Sequence, residues 1–297
     1  MSARQVASLD VLRGIAILLV IAAHFGGGSV EQQVLLGNAG VILFFFLSGF
    51  LMDKTLSEEA NPVSYATRRA FRILPMYWCS LLLVIAFGAN WAPGQLLANA
   101  TFSAPLFGAH RMLGVYWTLY IEVMFYCLAP FLMLAGNRAI QLSTYIALVP
   151  FIAFTLTYGV GSGAPFYTIF CLCGMQIGSS YRKATSAKNV AFSVLAVAIS
   201  ASAFMPISIF LGLIPIACAC ALFFCLHNNF RFWPLEFVGQ ISYSWYLLHS
   251  IFGYNFAAPV GIAVTFAASV LTHYTIEKPL IRLGKRFITP APQIKVA

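Results

Sequence analysis

Charge is what this sequence has least of. Only 8% of its 297 residues are Asp, Glu, Lys or Arg, against 61% hydrophobic, whereas a soluble domain carries about 25% charged residues. Water is thereby excluded as the solvent for most of the surface. Acidic residues are the scarcer sign, 8 against 17 Lys plus Arg. The basic residues lie between hydrophobic runs and form no tail or stripe, so a nucleic-acid partner is not expected. The seven cysteines have no metal-ligand spacing. Cys171/Cys173 and Cys218/Cys220 are each two apart, which in a helix turns them to nearly opposite sides. Neither a disulfide framework nor a zinc site is indicated, and the expectation is buried spectators with no bound metal or prosthetic group. There is also no internal repeat and no low-complexity segment.

What is present is one apolar run after another. At roughly 20 residues per helical crossing, runs near 10–27, 37–53, 73–90, 114–135, 139–158, 164–180, 189–204, 207–227, 236–253 and 256–275 predict about ten transmembrane helices. The inner loop 54–72, the outer loop 91–112 and the tail 276–297 are the sizeable polar segments. With a cytoplasmic N-terminus, 15 of the 17 basic residues fall on the inner side, leaving Arg111 in an outer loop and Arg13 within the first span. One-sidedness of that kind predicts an even number of spans with both termini cytoplasmic. The expected fold is an all-α integral membrane protein with one transmembrane domain over 1–297. The opening also has the look of a signal peptide, but Asp10 in its basic region argues against one.

Ionisable groups within hydrocarbon cost about 2.5–3.5 kcal/mol each on insertion scales, which makes them functional candidates by default. Arg13 and His24 are eleven positions apart and return to nearly the same face of the first helix, about 16 Å apart along its axis. Arg13 also reads as an interfacial arginine paired with Asp10 at i,i+3, and His24 as an outer-interface histidine beside Gly26–Gly28. If Tyr116 and Trp117 mark an aromatic belt, Glu122 lies about 8 Å below it. That depth suits a His24–Glu122 pair in which the carboxylate orients the imidazole. His249 lies toward the outer end of its own span, where a structural role competes with a functional one.

The inner loop carries Arg68, Arg69 and Arg72. They read either as a positive-inside cluster on anionic headgroups or as a clamp for phosphates of a cytoplasmic donor, since guanidinium forks match phosphate oxygens. Arg68 and Arg72 are four apart and share a face. Ser48, in Phe46-Leu47-Ser48-Gly49-Phe50, reads as packing and not as a nucleophile, because no base is placed beside it.

Together these segments resemble the acyltransferase 3 family of membrane acyltransferases, which includes bacterial O-antigen and exopolysaccharide O-acetyltransferases. The resemblance rests on Leu9-Asp10 through Arg13-Gly14 to His24, Phe44 to Phe50, Arg69-Ala70-Phe71-Arg72 with Pro75, Trp117 through Glu122 to Tyr126 and Pro130, Ile241 to His249, and Ile276-Glu277-Lys278-Pro279. Val11, Ile42 and Val123 depart from the family pattern. The resemblance implies transfer of an acyl group, usually acetyl, from cytoplasmic acyl-CoA as co-substrate to a hydroxyl of a saccharide or similar acceptor, in a bacterial inner membrane. His24 and Glu122 would be catalytic. Arg13, Arg68, Arg69 and Arg72 would bind the donor, and Asp10, Ser48, Trp117, Tyr126 and His249 would support them. The rival expectation is a flippase or transporter for a lipid-linked or anionic substrate, with the same buried groups as relay. The acceptor and the oligomeric state are not legible.

Overall fold

A computed structural model describes residues 3–58, 61–87, 91–135, 146, 167–182, 197–198, 208–253 and 256–288. Among these the chain is helical, and five helices are long and apolar enough to cross a membrane: Ala7–Phe25, Val30–Glu58, Pro62–Ala86, Ile209–Asn228 and Ala258–Arg286. The expected spans at 139–158 and 189–204 fall almost wholly outside the described residues.

Helix α1 (Ala3–Phe25) turns at Gly27 and Gly28, both at positive φ, into α2 (Val30–Glu58). Helix α3 (Pro62–Ala86) follows α2 with three residues between them. The polar segment 54–72 is therefore mostly helix, where the polarity predicts a loop. Polar side chains end an apolar run without ending a helix. The start of α3 is marked at Asn61-Pro62, where Asn61 accepts from the Val63 N–H at 2.9 Å and Pro62 takes the first turn. After the short α4 (Pro93–Ala100) come α5 (Tyr116–Ala135), α6 (Thr168–Arg182), α7 (Ile209–Asn228) and α8 (Trp233–Phe252).

The last unit corrects the boundary of the tail. Helix α9 (Ala258–Thr272) passes through one π turn, His273–Glu277, straight into α10 (Lys278–Arg286). Pro279 has no N–H to give the carbonyl four residues back, and the local ladder widens, with the Lys278 N–H reaching the His273 carbonyl.

Helix α1 is the hub, packing on α2 and α8, while α2 also packs on α6. Backbones of α1 and α8 nearly touch. A Cβ built on Gly239 would lie 1.8 Å from the Asp10 carbonyl oxygen, and one on Gly14 would lie 2.3 Å from that of Leu235. Small residues are what permit such approach within a bilayer. Further along, Gly253 meets the Phe25 ring, so the two helices run side by side in the same direction.

Candidate active site

A cavity of about 230 Å³ lies where α1, α2, α3, α5 and α8 converge. Each helix contributes residues spaced as one stripe: Val41, Phe44, Phe45, Ser48, Leu51 and Thr55 from α2, Arg69, Arg72 and Ile73 from α3, Thr118, Leu119, Glu122 and Tyr126 from α5, and Ser242, Tyr243 and Tyr246 from α8. Arg13 enters from α1. The spacings of three and four are those of a helix face, and the lining combines aromatic and aliphatic side chains with a set of charged ones.

The charged set is cation-rich. Arg13 Nη1 donates to Asp10 Oδ1 at 2.8 Å. Arg69 Nη2 donates to Thr55 Oγ1 at 2.6 Å, and its guanidinium lies 5.0 Å from the centre of the Tyr126 ring and 5.9 Å from that of Tyr65. Arg72 lines the cavity with no hydrogen bond or ion pair to any described residue. Three guanidinium groups therefore face one lining carboxylate, Glu122, with Asp10 behind Arg13. A cation such as Arg72 left without a partner away from water is costly, and an anionic ligand would complete this set.

Glu122 is held at one oxygen, Oε1, which accepts from the Ser48 hydroxyl at 2.8 Å and from the Tyr126 hydroxyl. It therefore does not pair with His24, as the sequence suggested. Equal depth on two helices allows a contact without making one. Ser48 has no base near it along the chain, yet its hydroxyl is on this carboxylate from another helix. Arg68 is exposed and does not line the cavity. The face that looks inward is shared by Arg69 and Arg72, three apart, and not by Arg68 and Arg72. Trp117 backs the site, packing edge-on against Phe45 at 6.3 Å and Tyr167 at 5.3 Å.

At the opposite end from the arginines the lining closes on Thr118 and Tyr246, whose hydroxyls are 2.8 Å apart. Tyr246 stands 5.7 Å from the His249 ring, which stands 4.8 Å from the His24 ring at 68°. His24 is itself exposed at the end of α1, its Nδ1 2.8 Å from the Val20 carbonyl. The imidazole expected at the reacting end therefore does not line the cavity; it stands beyond it, behind the rings of Tyr246 and His249. Residues missed in the sequence are Thr55, Thr118, Ser242, Tyr243 and Tyr246. Positions 242, 246 and 249 form a helical stripe, a signal the sequence does contain. The others become visible only when five helices are placed around one space.

The comparisons with known proteins agree with one another. BcsY of Komagataeibacter xylinus, named provisionally as a membrane-bound transacylase, is 26% identical over 289 aligned residues, covering 81% of this chain and 71% of its own length. The exopolysaccharide production protein ExoZ of Rhizobium meliloti is 32% identical over 103 residues, 31% of this chain and 32% of its own. The peptidoglycan O-acetyltransferase OatA of Listeria monocytogenes is 25% identical over 154 residues, 43% of this chain and 24% of its own. No solved structure matches. A family profile described as an acyltransferase domain matches residues 6–275. With that match over nearly the whole length, and with helices fit for several membrane crossings, the chain belongs to the acyltransferase 3 family of membrane proteins.

Proposed function

We propose that this protein is a membrane O-acyltransferase that moves an acyl group, acetyl in the simplest case, from cytoplasmic acyl-CoA to a hydroxyl of a saccharide acceptor. The observation that carries the reading is the cation-rich cavity, with Arg72 unpaired among the described residues at one end and the His249–His24 ring pair beyond the other. Acyl-CoA has phosphates for Arg69 and Arg72, a long arm for the apolar lining of Phe44, Phe45 and Leu51, and a thioester at its far end. The relatives whose names specify a product, a peptidoglycan O-acetyltransferase and an exopolysaccharide production protein, make a saccharide hydroxyl the acceptor to try first.

In this scheme His24 is the general base. Its Nδ1 faces the Val20 carbonyl, which only accepts, so the ring hydrogen sits on Nδ1 and Nε2 is the basic atom. Nε2 takes the acceptor's hydroxyl proton as that oxygen bonds to the thioester carbon. The carbon–sulfur bond breaks, and the imidazolium returns its proton to the departing thiolate. Positioned proton transfer of this kind contributes about 10²–10⁴-fold. Glu122, fixed by Ser48 and Tyr126, balances the guanidinium charge from the cavity wall. In the covalent alternative His24 first carries the acyl group itself.

The test is to incubate the purified protein with radiolabelled acetyl-CoA and a panel of oligosaccharides, following CoA release and label on the glycan. CoA release that depends on a saccharide is expected, and His24→Ala should lower it by at least about a hundredfold. A His24→Ala protein that folds and transfers at the native rate would end the proposal. Donor binding without CoA release under every condition would favour a carrier.

A further inference from the structure

Two histidines from different helices meet beyond the cavity. The transfer proposed for His24 uses only one of them, and a role for the second depends on that transfer. His249 is fully buried. Its Nδ1 lies 2.7 Å from the Tyr246 carbonyl. A carbonyl only accepts, so Nδ1 carries the hydrogen and Nε2 the lone pair. That Nε2 has no hydrogen-bond partner among the described residues. A buried acceptor left unpaired is destabilising and calls for a reason.

Packing does not supply one. His249 sits in an aromatic cluster, with Phe25 at 6.3 Å, Tyr246 at 5.7 Å and His24 at 4.8 Å between ring centres. A phenyl ring would fill the same volume without burying an unpaired nitrogen. Its place in the fold is also fixed independently, because the close approach of α1 and α8 at Gly14 and Gly239 sets the register that brings residue 249 to residue 24. Neither ring is there by the drift of a loop.

We propose that His249 is a positioning residue for His24, whose buried lone pair supports the charge that appears on the His24 ring during transfer. When His24 Nε2 takes the acceptor's proton, that ring holds two N–H groups and a positive charge. The Val20 carbonyl accepts from one side. The neighbouring His249 ring, its Nε2 unpaired among the described residues, packs edge-on against the same His24 ring, 4.8 Å between centres and at 68°. The proton then passes from His24 to the thiolate, and His249 ends the cycle with the hydrogens it began with.

The full-length protein in lipid nanodiscs tests this with His249→Gln, His249→Asn and His249→Phe, read with acetyl-CoA and the best saccharide of the panel, or with water as acceptor if none serves. Glutamine brings an amide oxygen to about the place of Nε2, asparagine reaches only as far as Nδ1, and phenylalanine keeps the ring with neither nitrogen. The Asn and Phe variants should lose about ten- to a hundredfold in kcat, with donor KM within about twofold and the thermal midpoint unchanged, while Gln regains most of the rate. A purely structural role would move stability and would not produce that order of rates. Native kcat in the Asn or Phe variant overturns the proposal. So does a folded Gln variant as slow as Asn, or failure of all three to fold, which would make His249 a packing residue. His24→Ala run alongside separates the cases: if it is inactive while His249→Asn is not, the role of His249 alone has failed, and if it is fully active the proposed mechanism itself is wrong.

Discussion

Adjacent residues on α3 are given different work by 100° of helix rotation. Arg69 and Arg72 face the cavity, whereas Arg68 is exposed. A charged hydrogen bond contributes about 1.5–3 kcal/mol, equal to about ten- to a hundredfold in a binding constant. Arg72→Ala should therefore raise the donor KM by about that factor with a smaller change in kcat, and Arg68→Ala should leave both within about twofold. Steady-state kinetics against acetyl-CoA decide it, and an Arg68 effect as large as that of Arg72 would return the cluster to the role of a headgroup contact. Arg69→Lys is a finer probe, because lysine keeps the charge but not the planar group over Tyr126. At this scale the sequence was legible where burial of charge is expensive, at Arg13, Glu122 and His249. It was illegible where two cheap groups meet, as with Ser48 and Glu122, because nothing in either helix alone marks the other as its partner.

Between helices, the contact of α1 with α8 is the structural condition for everything at the cavity's two ends. It holds Asp10, and through it Arg13, against one stretch of α8, and His24 against another. Gly239→Val would drive a side chain into the Asp10 carbonyl. Overpacking of this kind costs about 1–3 kcal/mol, and thermal unfolding in detergent should show the loss, with kcat falling alongside it because the rings no longer meet. Gly94→Ala is the control, since a Cβ there meets nothing within 4 Å. A Gly239→Val protein as stable and active as the parent would mean that the helices do not approach in this way. The existence of the long helices among the described residues was plain from apolar runs of about 20 residues, but their ends were not. Both α2 and the α9–α10 unit run on past the hydrophobic stretch, because polarity marks the membrane surface and only a cap or a proline marks a terminus.

At the scale of the molecule, the basic residues of α3 and α10 collect at one end among the described residues. Helix α10, carrying Lys278, Arg282, Lys285 and Arg286, packs on α3, with Gly284 against Phe71 and the Phe71 and Phe287 rings stacked at 5.9 Å. The Arg69–Arg72 end of the cavity therefore belongs with the rest of the positive charge. The turn after His24 and the 91–112 segment lie at the other ends of α1 and α3; Tyr77 and Trp78 of α3 donate to the carbonyls of Asn99 and Ala100. A donor made in the cytoplasm can reach the arginines only if that basic end faces inward, the orientation that basic residues favour. Ser57→Cys, exposed at the end of α2, and Phe107→Cys, 77% exposed in the 91–112 segment, test it with a membrane-impermeant maleimide. Position 107 should label in intact cells and position 57 only after permeabilisation, each above the level set by the native cysteines. The reverse pattern would put the phosphate-binding groups on the side without acyl-CoA. No arrangement of side chains within the cavity could then rescue a cytoplasmic donor.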